Sequence, residues 1–180
     1  MIKKIVKPKE LVSKEKIKER VKILGAQIAK DFEGKNFTMI CVMKGCIPFV
    51  ADLIRNISIP FKIDIIHASS YVDTESTGNV KIHSEPVIDI KDQSVLVIDD
   101  ILDTGRTMKK ITSCFFENGA KDVKICVLLD KPSRRIEKKV YADYVGFEIP
   151  NAFVVGYGLD YNEYYRNLPY IGTLEDADIE

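Results

Sequence analysis

At 180 residues the chain has room for one domain with its own hydrophobic core. Lys+Arg and Asp+Glu both count 27, so the formal net charge is zero, which argues against wholesale binding of nucleic acid or of an anionic membrane. No apolar run approaches the ~20 residues of a membrane span, and Met1-Ile2-Lys3-Lys4 leads into more charge rather than a signal core. Cys41, Cys46, Cys114 and Cys126 include no C-x-x-C pair and read as reduced cytosolic thiols. With only His67 and His83 in the chain, a His-based zinc site is not expected.

Residues 13–32 read as a helix. Ser13 can cap it, Glu15 sits in the first turn, and Ile17, Val21, Leu24 and Ile28 recur at helical spacing. Phe37 to Met43 is a short apolar run with little alternation, as in a strand buried on both faces. Pro48 opens a second helix carrying Phe49, Leu53, Ile54 and Ile57, with Pro60 marking its end. From Phe61 to Ala68, Phe61, Ile63 and Ile65 alternate with Lys62 and Asp64, which predicts a strand with one face less buried. From Tyr71 to about Pro86 the pattern disappears. A loop of that length in a small domain is expected to be functional, here a lid over about 72–86, or else a mobile or hairpin excursion.

Val95 to Ile98 is the next buried strand, running straight into Asp99 and Asp100. Thr107 to Asn118 reads as a helix with Met108, Ile111 and Phe115 inward and Gly119 as its stop. Val123 to Leu129, Tyr144 to Phe147 and Phe153 to Val155 are further strands, and Glu175 to Glu180 form an acidic, frayed tail. Alternating strands and helices predict an α/β fold with a mainly parallel, twisted sheet flanked by helices. Ligands bind such sheets at the carboxyl ends of the strands. Lys44, Asp99, Asp100, Asp103 and Lys131 all fall there.

The stretch Val95-Leu96-Val97-Ile98-Asp99-Asp100-Ile101-Leu102-Asp103-Thr104-Gly105-Arg106-Thr107 joins a strand, acidic residues and a helix N-terminus. Helix N–H groups and the helix dipole attract a phosphate, which adjacent carboxylates repel. A ligand that suits both carries phosphate together with hydroxyls or a divalent cation. Vicinal ribose hydroxyls can each donate to a carboxylate, and a hydrated magnesium ion is the other natural partner. The turn Asp103 to Thr107 supplies successive N–H groups, hydroxyls and a Gly for close approach. Asp103 is placed to accept or relay a proton. No G-x-x-x-x-G-K-[ST] is present, so a P-loop ATPase is not indicated. Lys44 and Gly45 could meet a second anion, Lys131 a carbonyl oxygen, and the aromatic run ending in Arg166 a planar base and a diphosphate.

The run Val95–Thr107 resembles the phosphoribosyl pyrophosphate (PRPP) motif of type I phosphoribosyltransferases. Phe147–Arg166 resembles the purine-specific region of the hypoxanthine-guanine branch. Lys44-Gly45, Ser70-Tyr71 and Leu128-Leu129-Asp130-Lys131 match in the same order. The resemblance implies one domain over 1–180, with a small hood from the N-terminal residues and about 147–175 and a flexible lid opened by Ser70 and Tyr71. It implies a magnesium-dependent purine-salvage enzyme that joins hypoxanthine or guanine to PRPP, giving IMP or GMP and pyrophosphate. Asp99 and Asp100 would take the ribose hydroxyls and the water shell of Mg2+, and residues 103–107 (Asp103, Thr104, Gly105, Arg106, Thr107) the 5′-phosphate. Asp103 would be the acid/base facing N7. Lys44, Gly45 and Arg166 would hold pyrophosphate, with a non-proline cis bond at Met43-Lys44. Lys131 would donate to O6, Phe153 stack on the base, the Val154 backbone read its edge, and Asp160 sit beside the base and a second magnesium. Many relatives carry Glu then Asp where this chain has Asp99-Asp100; the shorter side chain should still reach hydroxyls or water, and whether Asp99 meets the metal directly or through water is left open. A cytoplasmic homodimer or homotetramer is implied. The alternatives are a PRPP-sensing regulator on the same scaffold and a xanthine-preferring enzyme.

Overall fold

Ser13 opens the first long element of the computed structural model, which describes residues 6–70, 80–84 and 86–175. Its hydroxyl accepts the Lys16 N–H at 3.3 Å, capping α1 (Lys14–Asp31). Ile17, Val21, Leu24 and Ile28 line the buried face of that helix, as their spacing predicts. After it come β2 (Phe37–Met43), α2 (Ile47–Leu53), β3 (Lys62–Ser70), β4 (Val80–Ile82), β5 (Ser94–Leu102), α3 (Arg106–Glu117), β6 (Asp122–Asp130) and β7 (Tyr144–Glu148). The short strands β1 (Lys9–Val12), β8 (Phe153–Val155) and β9 (Ile171–Leu174) complete the order.

The main sheet runs β4-β3-β2-β5-β6-β7. All its pairings are parallel except the β3–β4 edge hairpin. Side chains alternate across it. Met39, Cys41, Leu96, Ile98, Cys126 and Leu128 pack under α1 and α2, whereas Ile40, Val42, Val95, Val97, Ile125 and Val127 pack under α3. Two covered faces are why these strands read as unbroken apolar runs. Each such side chain contributes ~1.5–3 kcal/mol by leaving water. A second, antiparallel sheet, β1-β9-β8, joins the two ends of the chain. Phe147 and Glu148 belong to β7 of the main sheet.

Four sequence expectations change. The second helix does not reach Pro60: it ends at Leu53 and tightens into a 3₁₀ turn over Ile54–Asn56. There the Asn56 side chain donates to the Asp52 carbonyl at 2.8 Å. In β3 the alternating apolar face is the exposed one, with Ile63 and Ile65 near half exposure, while Ile66 is fully buried against the α3 layer. Part of the expected lid, Val80–Ile82, is a strand paired to Ala68–Ser70; Tyr71 and most of 72–86 lie outside the described residues. Finally, β5 does not stop at Ile98. It pairs with β6 through Leu102, so Asp99 and Asp100 are strand residues rather than loop residues.

Candidate active site

Chain order places the site. From β2 the chain steps to β3 on one side, and from β5 it steps to β6 and β7 on the other. The crevice between β2 and β5 is thus a topological switch point, where open α/β sheets take ligands. Pairing of the two strands ends at Cys41 and Ile98, and both strands run on past that point. A cavity of about 790 Å³ opens there, with Asp99, Asp100, Lys44, Asp103, Asp160 and Arg166 in its wall.

Asp99 and Asp100 stand side by side on one strand, and Asp99 Oδ1 accepts the Asp100 N–H at 2.9 Å. Burial raises the proton affinity of both carboxyls. Asp99 lies well above the ordinary carboxylate range, pushed further by the charge of Asp100, while the Arg166 guanidinium partly offsets the rise in Asp100. Such a pair favours hydrogen-bond donors or a cation.

On one side of the pair, Gly105 takes φ +84° and starts α3 without a side-chain cap. A residue with a Cβ would be strained in that conformation. The Arg106 N–H reaches Thr104 Oγ1 only at 3.4 Å. The N–H groups of this first turn are therefore presented to an anion. Thr104, Gly105, Arg106 and Thr107 all line the cavity.

On the other side, the Met43-Lys44 peptide is cis. Gly45 packs so closely on the acidic strand that a Cβ there would lie 1.6 Å from Asp100 Oδ2. Lys44 Nζ donates to Glu163 Oε2 at 2.7 Å, and this bond draws the Glu163 carboxyl below its usual range. Arg166 donates to Gly158 O at 2.8 Å and meets Asp160 Oδ1 at 2.7 Å and Glu163 Oε2 at 3.3 Å. The two cations expected to hold a diphosphate thus share one carboxylate, Glu163, a residue that sequence reasoning passed over inside the aromatic run.

The expected base-recognition residues flank the cavity rather than line it, Asp160 excepted. Lys131 is buried, and Nζ donates to Ala152 O at 2.7 Å. Burial lowers its affinity for a proton and Arg134 adds to that, opposed by Asp103. Phe153 is 41% exposed and meets Tyr161 edge-on, with ring centroids 5.6 Å apart; Val154 is buried beside it. Ser70 ends β3 opposite Val80. Asp103 Oδ1 accepts from Arg134 Nε at 3.1 Å. Arg135, almost fully buried, holds the corner beneath it by donating to Asp103 O, Leu102 O and Val140 O and by pairing with Asp130. The tandem Arg134-Arg135 just after Lys131-Pro132 was the available sequence signal for both.

Among the described residues no three His, Cys, Asp or Glu side chains cluster closely enough to hold a bare metal ion, and no helix is long and apolar enough to cross a membrane.

A family model for the phosphoribosyl transferase domain matches residues 8–162. The chain is 48% identical over 169 residues to the hypoxanthine-guanine phosphoribosyltransferase of Streptococcus pneumoniae, covering 93% of each chain. It is 46% identical over 173 residues to the enzyme of that name from Bacillus subtilis, covering 96% of each. A crystal structure of a hypoxanthine phosphoribosyltransferase from Staphylococcus aureus matches with a TM-score of 0.90 at 45% identity, covering 96% of this chain and 94% of the other.

Proposed function

We propose that this chain, which belongs to the phosphoribosyl transferase family and has the type I phosphoribosyltransferase fold, transfers the 5-phosphoribosyl group from PRPP to hypoxanthine or guanine. The products are IMP or GMP and pyrophosphate, a purine-salvage reaction. The observation that carries this reading is one cavity with three chemically distinct walls: an uncapped helix N-terminus, a carboxylate pair, and a Lys–Arg pair.

The 5′-phosphate sits on the N–H groups of residues 103–107. Ribose hydroxyls donate to Asp99 and Asp100. Lys44 and Arg166 take the diphosphate, with the Gly45 backbone close against it. As the bond from the anomeric carbon to pyrophosphate breaks, positive charge develops on the ribose and negative charge on the leaving group, which the two cations stabilise. The purine N9 bonds to the anomeric carbon and Asp103 takes the N7 proton. Lys131 donates to O6, Phe153 stacks on the base, and the Val154 backbone reads its edge. A lid opening at Ser70, which ends β3, and at Tyr71, which lies outside the described residues, would exclude water from the cation-like sugar.

Magnesium fits this donor set. Burial raises the proton affinity of both carboxylates and the charge of Asp100 raises that of Asp99 further, Asp160 lines the same cavity, and among the described residues the side chains alone do not complete a coordination sphere. Asp99, Asp100 and Asp160 would hold it through water and substrate oxygens, and when bound it supplies charge neutralisation at the diphosphate. The four unpaired cysteines suit a cytoplasmic enzyme. The exposed Ile63 and Ile65 offer apolar surface for a homodimer or homotetramer.

The test is a spectrophotometric assay with PRPP, magnesium and hypoxanthine, guanine, xanthine or adenine in turn. Nucleotide formed from hypoxanthine or guanine is expected. Xanthine alone would point to the xanthine-preferring enzyme, and no product from any base to a PRPP sensor.

A further inference from the structure

β6 ends at Asp130, and the chain turns back over the acidic corner that follows β5. Lys131 N–H donates to Leu102 O at 3.0 Å, and the Ile136 and Glu137 N–H groups both donate to Thr104 O at 3.0 Å. Between these anchors, Pro132–Arg134 forms one 3₁₀ turn that ends on Arg134, and a second arginine, Arg135, follows directly as its C-cap. They divide the work. Arg135 is sunk beneath the corner and grips main-chain oxygens on both sides of it. Arg134 stays at the cavity wall, half exposed, and its Nε hydrogen-bonds one oxygen of the Asp103 carboxylate at 3.1 Å. The other Asp103 oxygen has no hydrogen bond among the described residues.

We propose that Arg134 is a positioning residue: it holds Asp103 Oδ1, fixes the plane of the carboxylate, and leaves Oδ2 as the atom that exchanges a proton with the purine. This rests on the reading of Asp103 as the acid/base. A carboxylate on a short side chain at a strand end rotates freely unless one oxygen is engaged. Proton transfer demands heavy atoms within hydrogen-bond reach and correctly aimed. Arg134 touches no reacting atom in this role, so its loss slows turnover without weakening PRPP binding. The planar fork of arginine sets direction as well as charge, which an ammonium does not.

The experiment is a kinetic double-mutant cycle with PRPP and hypoxanthine, using Arg134→Ala, Arg134→Lys and Asp103→Asn. Arg134→Ala is expected to lower kcat by about 10-fold with the KM for PRPP within about twofold of wild type. Arg134→Lys should recover part of that loss. In the Asp103→Asn background, Arg134→Ala should change kcat by less than about twofold, because the carboxylate it orients is already gone. Unchanged thermal unfolding of Arg134→Ala checks that the half-exposed side chain is not needed for folding. Three results would overturn the proposal: no change in kcat, a rise in KM for PRPP with kcat intact, or the full 10-fold loss persisting in the Asp103→Asn background. A wild-type chain that forms no nucleotide from any purine would sink the assigned activity instead, which keeps the two failures apart.

Discussion

Gly45→Ala puts a methyl group where the acidic strand already is. An ideal Cβ at this position lies 1.6 Å from Asp100 Oδ2 and 2.7 Å from its Cγ. Carbon and oxygen need ~3.3 Å, so either the carboxylate or the loop carrying Lys44 must retreat by ~1.7 Å. Backbone strain is not the cause, because Gly45 is not among the residues with positive φ. A displacement of ~1 Å at a reacting centre costs on the order of 100-fold in rate. We therefore expect kcat/KM for PRPP to fall at least ~100-fold, together with ~1–3 kcal/mol of stability from overpacking. Steady-state kinetics with varied PRPP and thermal unfolding measure the two effects. Asp100→Ala removes the colliding oxygen and leaves only its Cβ, at 3.5 Å. Adding Gly45→Ala in that background should then cost little further stability. A Gly45→Ala enzyme that keeps kcat/KM within about threefold of wild type refutes the contact between loop and carboxylate on which the site description stands.

Asp103→Asn should lower kcat by at least ~100-fold while PRPP affinity stays within about threefold, as expected of a group that acts only during proton transfer. Equal losses in both would assign it to binding. Glu163→Gln frees Lys44 and Arg166 from a competing carboxylate, so inhibition by pyrophosphate should tighten about two- to fivefold; weaker inhibition would make Glu163 a support for the two cations rather than their competitor. Asp99→Asn keeps the oxygen that accepts the Asp100 N–H and removes one charge from the buried pair. In the native wild type both carboxyls hold protons to higher pH than in the unfolded chain, so stability falls as pH rises through their raised values. The variant should flatten that decline and gain ~0.5–2 kcal/mol at pH 7, measured by denaturant unfolding, while losing PRPP turnover.

Much of the fold was legible locally. A cap at Ser13, apolar spacing from Ile17 to Ile28 and the two-sided burial of Phe37–Met43 are near-neighbour signals, and the elements formed with nearly those bounds. The stretch proposed to take the phosphate was legible for the same reason: a strand, carboxylates and an uncapped helix start follow one another within about a dozen residues. What could not be read is what distant segments do to each other. The short strands β1 and β9 are defined by their pairing at opposite ends of the chain. Ile63 and Ile65 alternate like core residues, yet the helix that packs on β3, α3, covers its other side.

By itself the amino-acid sequence determined which chemistry is available here, because residue type and short spacing set the capacity of a helix start for phosphate and of paired carboxylates for hydroxyls or a cation. Only tertiary structure decided how those groups are arranged. Lys44 meets Glu163 across 119 residues, Arg134 meets Asp103 across 31, and Gly45 closes on Asp100 from the turn that follows the neighbouring strand β2. Such contacts depend on sheet order and register, which no local pattern encodes.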